Sequence, residues 1–211
     1  MRSRVLTIVL GIGVAFSLVV LASRASMFHL PANHQGYEPV QPIAYSHRLH
    51  AGELQIDCKY CHFGAEKSRY AGIPPASVCM NCHQFIKAPL GAIRAEDELA
   101  AQEGRAPREV VSPELSRLYD AVKQHRPVAW TRIHSLPDFV YFDHRAHVNA
   151  GVVCQQCHGP VETMERVRQV SDLSMGWCVN CHRDANEKGI GGRRVNASIN
   201  CSTCQDRKSV V

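Results

Sequence analysis

Apolar residues are concentrated at the N-terminus of the chain, and the rest has few long apolar runs. Residues 5–22 are almost all apolar, with Arg2 and Arg4 before them and Arg24 after them. The run approaches the length that a helix needs to cross a bilayer, and the leading arginines favour an N-terminus in the cytoplasm. We expect residues 1–22 to form a retained transmembrane anchor, and the alternative is a signal peptide cleaved near Ala25.

Beyond this run the pattern predicts short helices and loops, with no convincing strands. Residues 23–42 are rich in Pro, Asn and Gly and are typical of a tether. Residues 84–139 form a linker without cysteine, in which Ser112 is suited to cap a helix and Pro113 to begin it. One face of that predicted helix is apolar and consists of Leu115, Leu118, Tyr119 and Val122.

Two segments of the chain repeat each other, IAYSHRLHAGELQIDCKYCH and FVYFDHRAHVNAGVVCQQCH. Each has an aromatic residue, the pattern H-x-x-H and then C-x-x-C-H, and a second C-x-x-C-H follows as CMNCH or CVNCH. We take residues 43–83 as module 1 and residues 140–182 as module 2. Residues 183–205 add a fifth cysteine pair, which is followed by Gln205 where the other four pairs have histidine.

The charge pattern excludes nucleic acid as a partner, and the cysteine and histidine content indicates a bound cofactor or metal. The formal net charge is +5, but Lys and Arg are scattered and form no basic stripe, so we expect no nucleic-acid binding. The chain of 211 residues contains ten cysteines and twelve histidines.

C-x-x-C-H is the attachment motif of c-type haem, whose vinyl groups form thioethers with the two thiols while the histidine binds the iron. Zinc ribbons and disulfides are the alternatives for paired cysteines. With 12 histidines in 211 positions, histidine after all four pairs has odds of roughly one in a hundred thousand by chance. We therefore predict four haem c groups and a fifth at the last pair. The attachment residues are Cys58, Cys61, Cys79, Cys82, Cys154, Cys157, Cys178, Cys181, Cys201 and Cys204.

So many haems would replace a side-chain core. Residues 44–204, which contain the five pairs, supply about 32 residues for each pair, which is too little to bury a normal core. The fold class that we predict is short α-helices and loops wrapped around stacked c-type haems, with one N-terminal transmembrane helix.

The histidines supply enough ligands for both faces of each iron. The proximal ligands, which belong to the motifs, are His62, His83, His158 and His182. The distal candidates are His47 and His50, then His144 and His147, each pair one helical turn apart, and finally His134. We expect His29, His34 and His125 to be ordinary solvated histidines that do not bind haem. Met164 or Met175 is an alternative distal ligand that would raise the potential of one haem.

Several stretches are more specific than the motifs: SPELSRLYDAV, WTRIHSLPDFVYFDHRAH, LSMGWCVNCHR and the terminal NCSTC. With them the chain resembles the membrane-anchored pentahaem cytochrome c subunit (ActA) of alternative complex III, and its modules are similar to class III multihaem cytochromes. The resemblance implies a place in a quinol-oxidising respiratory complex on the outer face of the cytoplasmic membrane. It implies iron–sulfur and integral membrane subunits as partners, and a periplasmic monohaem cytochrome or terminal oxidase as acceptor. Gln205 departs from the pattern.

We interpret the protein as an electron relay rather than an enzyme, because five distal histidines for five haems leave no iron open to substrate. One alternative is a multihaem reductase of nitrite or a sulfur oxyanion, which needs a vacant axial position. Another is a diffusible carrier, which requires cleavage of the N-terminal segment.

The last six residues, DRKSVV, can be encoded by GATCGGAAGAGCGTCGTG, which matches a common sequencing-library adapter preceded by A. The codon for Gln205 would then be CAA, with only CA from the gene. Codons that begin with CA encode histidine or glutamine, and the four other motifs carry histidine. We expect residues 206–211 to be a non-native tail, and the natural chain to have histidine at position 205 and to continue beyond it.

Overall fold

The computed structural model describes residues 2–25 and 34–205. The N-terminal apolar run forms helix α1, Arg2–Ala25. Within these described ranges, no helix combines the length and hydropathy required to cross a membrane, so the predicted transmembrane helix is not supported. Residues 26–33 of the predicted tether, which include His29, and the predicted tail at 206–211 lie outside the described residues.

Short helices joined by loops make up the rest of the described chain, as predicted. The helices are α2 (Cys58–Cys61), α3 (Ala76–His83), α4 (Leu90–Glu103), α5 (Pro113–Lys123), α6 (His144–Ala150), α7 (Gln155–His158), α8 (Met175–Lys188) and α9 (Cys201–Gln205). A π-helical turn spans Arg48–Glu53 and a 3-10 turn spans Val161–Thr163.

Helix α5 confirms the prediction made from its capping residues. The Ser112 hydroxyl accepts a hydrogen bond from the Leu115 amide at 3.3 Å, and Pro113 is the first helical residue. Leu118 is buried, and the Tyr119 hydroxyl donates to the carbonyl oxygen of His83 at 2.5 Å. The linker helix is thereby attached to the second motif of module 1.

Helix α4 was not predicted. Its N-cap is Pro89, which offers no side-chain hydrogen bond, and it ends at Gly104, whose φ of 66° suits glycine. Glu96 on this helix binds the Arg105 guanidinium and accepts from the Arg108 amide at 2.8 Å. These contacts fold the segment after α4 back onto the helix.

The two modules pack across each other in a symmetric exchange. The Arg48 amide, in the H-x-x-H segment of module 1, donates to the carbonyl oxygen of Met164 in module 2 at 2.9 Å. In return, the Arg145 amide of module 2 donates to the carbonyl oxygen of Ser68 in module 1 at 3.2 Å. Each acceptor lies six positions after the histidine of its module's first motif. The H-x-x-H segment of one module is therefore supported by a loop of the other.

Few apolar side chains are buried in the described part of the chain. Those that are fully buried are Ala65, Ala88, Ala100, Leu118, Met164 and Ala185. Four of these six are alanines, whose burial stabilises a fold much less than that of larger side chains. A small side-chain core of this kind suits a protein in which porphyrins fill the interior.

Candidate haem-binding site

The cysteine pairs lie in or beside short helices that arrange the two thiols on one side. In α2 the Asp57 carboxylate accepts from the Lys59 amide at 2.7 Å and begins the turn at Cys58. Cys61 follows one turn later, so both thiols share a face. His62 stands directly after the helix. The other pairs also have their cysteines three positions apart in or beside a helix, and this spacing suits attachment of one planar group to each pair.

All ten cysteines lie in described segments and are free thiols, so the structure does not support the disulfide alternative. Burial raises the pKa of the Cys157 thiol to about 11, and the neighbouring cysteines add to the effect. Burial also raises the pKa of Cys61 and Cys79. No group of three or more His, Cys, Asp or Glu suited to a bare metal ion occurs in residues 2–25 and 34–205, and the zinc alternative gains no support.

Six histidines have Nδ1 within hydrogen-bonding distance of a backbone carbonyl oxygen. The acceptors and distances are Ser46 at 2.8 Å for His50, Gly72 at 2.7 Å for His62, Ile86 at 2.9 Å for His83, Arg69 at 2.9 Å for His144, Asp143 at 2.8 Å for His147 and Ser198 at 2.5 Å for His182. A carbonyl oxygen only accepts, so Nδ1 carries the proton and Nε2 keeps its lone pair. This arrangement fixes the tautomer and ring orientation of metal-binding histidines.

Two histidine pairs have the separation expected across a single iron. Nitrogens on opposite sides of one metal ion lie about 4 Å apart, and the ring centroids roughly 6 Å apart, since a metal–nitrogen bond is about 2 Å long. The ring centroids of His50 and His83 are 6.1 Å apart, and those of His147 and His182 are 6.0 Å apart. The second histidine of each H-x-x-H thus faces the histidine of the second motif in its own module. These four residues fit the axial ligands of two haems.

The first histidine of each H-x-x-H lies at the junction of the modules, near the first motifs. His144 and His158 have ring centroids 6.4 Å apart. Burial lowers the pKa of His47 to about 4, with neighbouring His62 and His50 contributing. Nδ1 of His47 is buried and has no hydrogen-bond partner among the described residues. A neutral imidazole with an unpartnered nitrogen is in the state that binds a metal, so His47 also fits the role of ligand.

The structure places His134 against the first motif of module 2. Its ring centroid is 4.3 Å from that of His158, and its Nε2 is 3.3 Å from Nδ1 of His158. This separation is shorter than the roughly 4 Å expected for two nitrogens on opposite sides of one iron. Burial lowers the pKa of His134 to about 4 and that of His158 to about 3. The role of His134 as a distal ligand stays a prediction.

Aromatic residues orient both H-x-x-H segments, a role that the sequence indicated only by placing an aromatic residue before each. The Tyr45 ring stacks on His50 at 4.4 Å and meets His47 edge-on at 4.8 Å. Phe142 lies in the same way at 4.5 Å from His147 and 4.9 Å from His144. Burial raises the pKa of the Tyr45 hydroxyl. Each pair of histidines predicted as distal ligands is therefore held by one aromatic ring.

Large apolar side chains beside the motifs are exposed. Phe63 follows His62 directly and is 54% exposed, and Phe85, two residues after His83, is 78% exposed. Val153, directly before Cys154, is also exposed. Apolar surface of this kind marks a place where another group binds. Its position beside the attachment cysteines fits porphyrin rings.

At the fifth pair, Gln205 occupies the place of the proximal histidine. Its Nε2 lies 3.1 Å from the Sδ of Met175. The Cys204 carbonyl oxygen accepts from the Tyr141 amide at 2.6 Å, which holds α9 against the start of module 2. The other predicted methionine, Met164, is buried.

Comparisons with known proteins agree with these features. Residues 140–206 match the family described as cytochrome c7 and related cytochrome c. The chain is 26% identical over 186 residues to the multiheme cytochrome c subunit of the menaquinone reductase of Nitratidesulfovibrio vulgaris, a match that covers 78% of this chain and 76% of that protein. Neither similarity supports the finer resemblance to ActA of alternative complex III. The motifs, the paired imidazoles and these similarities support a multihaem c-type cytochrome involved in electron transfer.

Proposed function

We propose that this protein relays electrons within a membrane quinone-oxidoreductase complex, between the quinone pool and a carrier or oxidase outside the cytoplasm. The observation that carries the proposal is a continuous series of contacts that joins the five cysteine pairs in one spatial order. A relay needs such an order, because electrons pass between neighbouring haems.

The series begins in module 1 and crosses to module 2. Asn81, inside the second motif, donates from Nδ2 to the hydroxyl of Tyr60, inside the first motif, at 3.0 Å. Burial raises the pKa of the Cys58 thiol in that first motif, and Cys154 lies near enough to add to the effect. The first motifs of the two modules therefore meet at the junction.

The series continues through module 2 to the last pair. Gln156, inside the first motif, donates from Nε2 to the Sγ of Cys181 in the second motif at 3.6 Å. The contact between Met175 and Gln205 then joins the helix of that second motif to α9. The cysteine pairs therefore follow one another in space in an order that differs from their order along the chain. That order is Cys79/Cys82, Cys58/Cys61, Cys154/Cys157, Cys178/Cys181 and Cys201/Cys204.

When bound, haem iron accepts and releases one electron by alternating between its ferric and ferrous states. The paired histidines, His50 with His83 and His147 with His182, would each supply a nitrogen ligand to such an iron, and two ligands would leave no position on it for a substrate. This supports a relay over a reductase.

The partners follow from the relative and from α1. The relative is named as a subunit of a menaquinone reductase, which supports a quinone-linked complex, and we propose that quinone chemistry resides in integral membrane and iron–sulfur subunits. A monohaem cytochrome or terminal oxidase would be the partner at the other end. The described side chains of α1 are exposed and mostly apolar, which supports a location at the outer face of the cytoplasmic membrane.

Removal of the middle attachment site tests the relay. In membranes that contain the intact complex, the double variant Cys154→Ala/Cys157→Ala should keep the other haems but lose electron transfer from quinol to an added monohaem cytochrome. The matched control, Cys201→Ala/Cys204→Ala, removes an end site, so the remaining four should still equilibrate with one another. A full transfer rate in the middle variant would refute the linear order.

Two further measurements address the alternatives. Ready binding of cyanide or nitrite at one haem would indicate an open iron and favour the reductase. The mass of the mature N-terminus, together with membrane fractionation, distinguishes a retained α1 from a cleaved one and a membrane subunit from a diffusible carrier.

A further inference from the structure

We propose that His134 does not bind iron and is instead the hydrogen-bond partner that orients the proximal histidine His158. The inference rests on haem attachment at Cys154 and Cys157, which belong to a complete motif, and it is independent of the relay. It gives His134 a role different from the distal ligation that the sequence predicts.

The first motif of module 2 fits a haem without His134. Its two cysteines are followed directly by His158, as attachment requires. The rings of His144 and His158 are nearly parallel, at 8°, and their centroids are 6.4 Å apart. This separation matches the roughly 6 Å expected for two imidazoles on opposite sides of one iron. Nδ1 of His144 is held by the Arg69 carbonyl oxygen, which leaves its Nε2 for the metal.

The second ring nitrogen of His158 is held differently from those of the other proximal histidines. In His62, His83 and His182 this nitrogen, Nδ1, lies against a backbone carbonyl oxygen. In His158 it lies 3.3 Å from Nε2 of His134, and the two rings are nearly perpendicular, at 80°. The imidazole of His134 thus stands where the other motifs have a carbonyl oxygen.

The direction of this hydrogen bond follows from the role of His158. To bind iron through Nε2, His158 must keep a lone pair on that atom, so its proton is on Nδ1. Nδ1 therefore donates, and Nε2 of His134 accepts. The accepting lone pair is the one that His134 would need in order to bind iron through the same atom. Each use excludes the other, so the contact favours support of a ligand over ligation.

The loop that carries His134 is anchored close to the ring. The side-chain amide of Gln41 donates to the Thr131 carbonyl oxygen at 3.0 Å and accepts from the Thr131 amide at 2.9 Å. Nε of Arg132 donates to the carbonyl oxygen of His134 at 3.0 Å. These bonds fix the backbone directly before His134, and a fixed partner is what the orientation of a ligand ring requires.

A hydrogen-bond acceptor at Nδ1 makes the metal-binding nitrogen a stronger base, and a more basic ligand stabilises ferric over ferrous iron. His134 should therefore lower the reduction potential at Cys154 and Cys157, the middle pair in the spatial order. Partners of this kind typically change the affinity of a site for its metal by about tenfold or more. A tenfold change in the preference for ferric iron corresponds to about 59 mV.

Two substitutions separate this role from distal ligation. His134→Leu removes the acceptor, whereas His134→Gln supplies an amide oxygen that accepts a hydrogen bond and does not bind haem iron. In the oxidised holoprotein, electron paramagnetic resonance should show every haem of both variants in the parent's spin state. His144→Ala, the positive control, should convert one haem to high spin. In a redox titration one midpoint potential should rise by about 59 mV in His134→Leu, and His134→Gln should restore most of the parent value.

Conversion of one haem to high spin in both His134 variants, with haem counts by mass intact, would overturn the proposal in favour of distal ligation. A midpoint potential unchanged in His134→Leu, or equal in the Leu and Gln variants, would overturn it as well.

A measurement on the unaltered protein decides the matter if His134→Leu loses a haem. Low-spin ferrous haems are diamagnetic, so the fully reduced protein is suited to nuclear magnetic resonance. A nuclear Overhauser contact should join the Nδ1 proton of His158 to the ring of His134, and absence of this contact would refute the proposal. None of these readouts depends on electron flow to a partner. Loss of end-to-end transfer would therefore refute the relay alone.

Discussion

The contact between His147 and His182 allows axial ligation to be tested at one iron. We consider His147→Ala, which removes the distal imidazole and leaves the attachment residues Cys178 and Cys181 unchanged. The haem should stay covalently bound, and its iron should change from low spin to high spin because only the sixth ligand is lost. The remaining ring, His182, keeps its Nδ1 bond to the Ser198 carbonyl.

The size of the effect follows from the pairing in the structure. His147 faces one iron position, so one haem should convert, which is about one fifth of the total when five are attached and one quarter when four are. The variant also loses the contact of His147 with Phe142 at 4.5 Å. Removal of a partly buried ring costs about 3 kcal/mol or less, below the 5 to 15 kcal/mol that is typical for a folded domain. Alanine favours helix α6, and we expect the protein to stay folded.

Electron paramagnetic resonance of the oxidised holoprotein measures the fraction of haem that is high spin. Mass spectrometry gives the number of haems that remain attached. His125→Ala is the control, because His125 is not a predicted ligand. It lies after helix α5 with a φ of 52°. His50→Ala, the equivalent change in module 1, should also convert one haem, and the double variant should convert two. An unchanged low-spin spectrum in His147→Ala, with the haem count intact, would refute the pairing.

Three other predictions concern the frame around the haems and the fifth site. Tyr45→Phe should leave the free energy of unfolding of the holoprotein within about 1.5 kcal/mol of the parent, whereas Tyr45→Ala should lower it by about 3 kcal/mol, as measured by denaturant titration. A Cβ on Gly52 would clash with the Glu162 carbonyl oxygen, so Gly52→Ala should cost about 1 to 3 kcal/mol. Gly91→Ala, with open space around it, should cost nothing in the same titration. Resequencing of the locus should show a histidine codon in place of Gln205, and a genuine glutamine codon followed by native sequence encoding DRKSVV would contradict this expectation.

Features set by neighbouring residues could be predicted from the sequence. Ser112 and Pro113 begin α5 because the cap and the proline act on the first turn, which lies within a few residues. His144 and His147 lie on one face of α6 for the same reason, since three positions span one turn. The motifs also specify their own thiols and proximal histidine without reference to the rest of the chain. Short helices and haem attachment therefore followed directly from spacing.

Features set by distant residues could not be predicted in this way. The pairing of His50 with His83 joins residues 33 positions apart, and no periodicity in the chain encodes it. The sequence offered His134 as a fifth distal candidate but did not indicate which motif it would lie beside, and the packing of its loop brings it to His158. Helix α4 was missed because its N-cap is Pro89, which provides no side-chain acceptor for the first amides.

The exchange between the modules explains why the repeat occurs as a pair in one chain. Nδ1 of His144 in module 2 donates to the Arg69 carbonyl oxygen of module 1 at 2.9 Å. The guanidinium of that arginine donates from Nε to the Phe142 carbonyl oxygen at 3.1 Å and lies 4.1 Å from the Tyr141 ring centroid. Arg69 thus supports the segment that carries the distal ligands of the other module. The bond from His144 to the Arg69 carbonyl oxygen fixes the tautomer and ring orientation of that histidine, so module 2 depends on module 1 for the orientation of one of its predicted distal ligands.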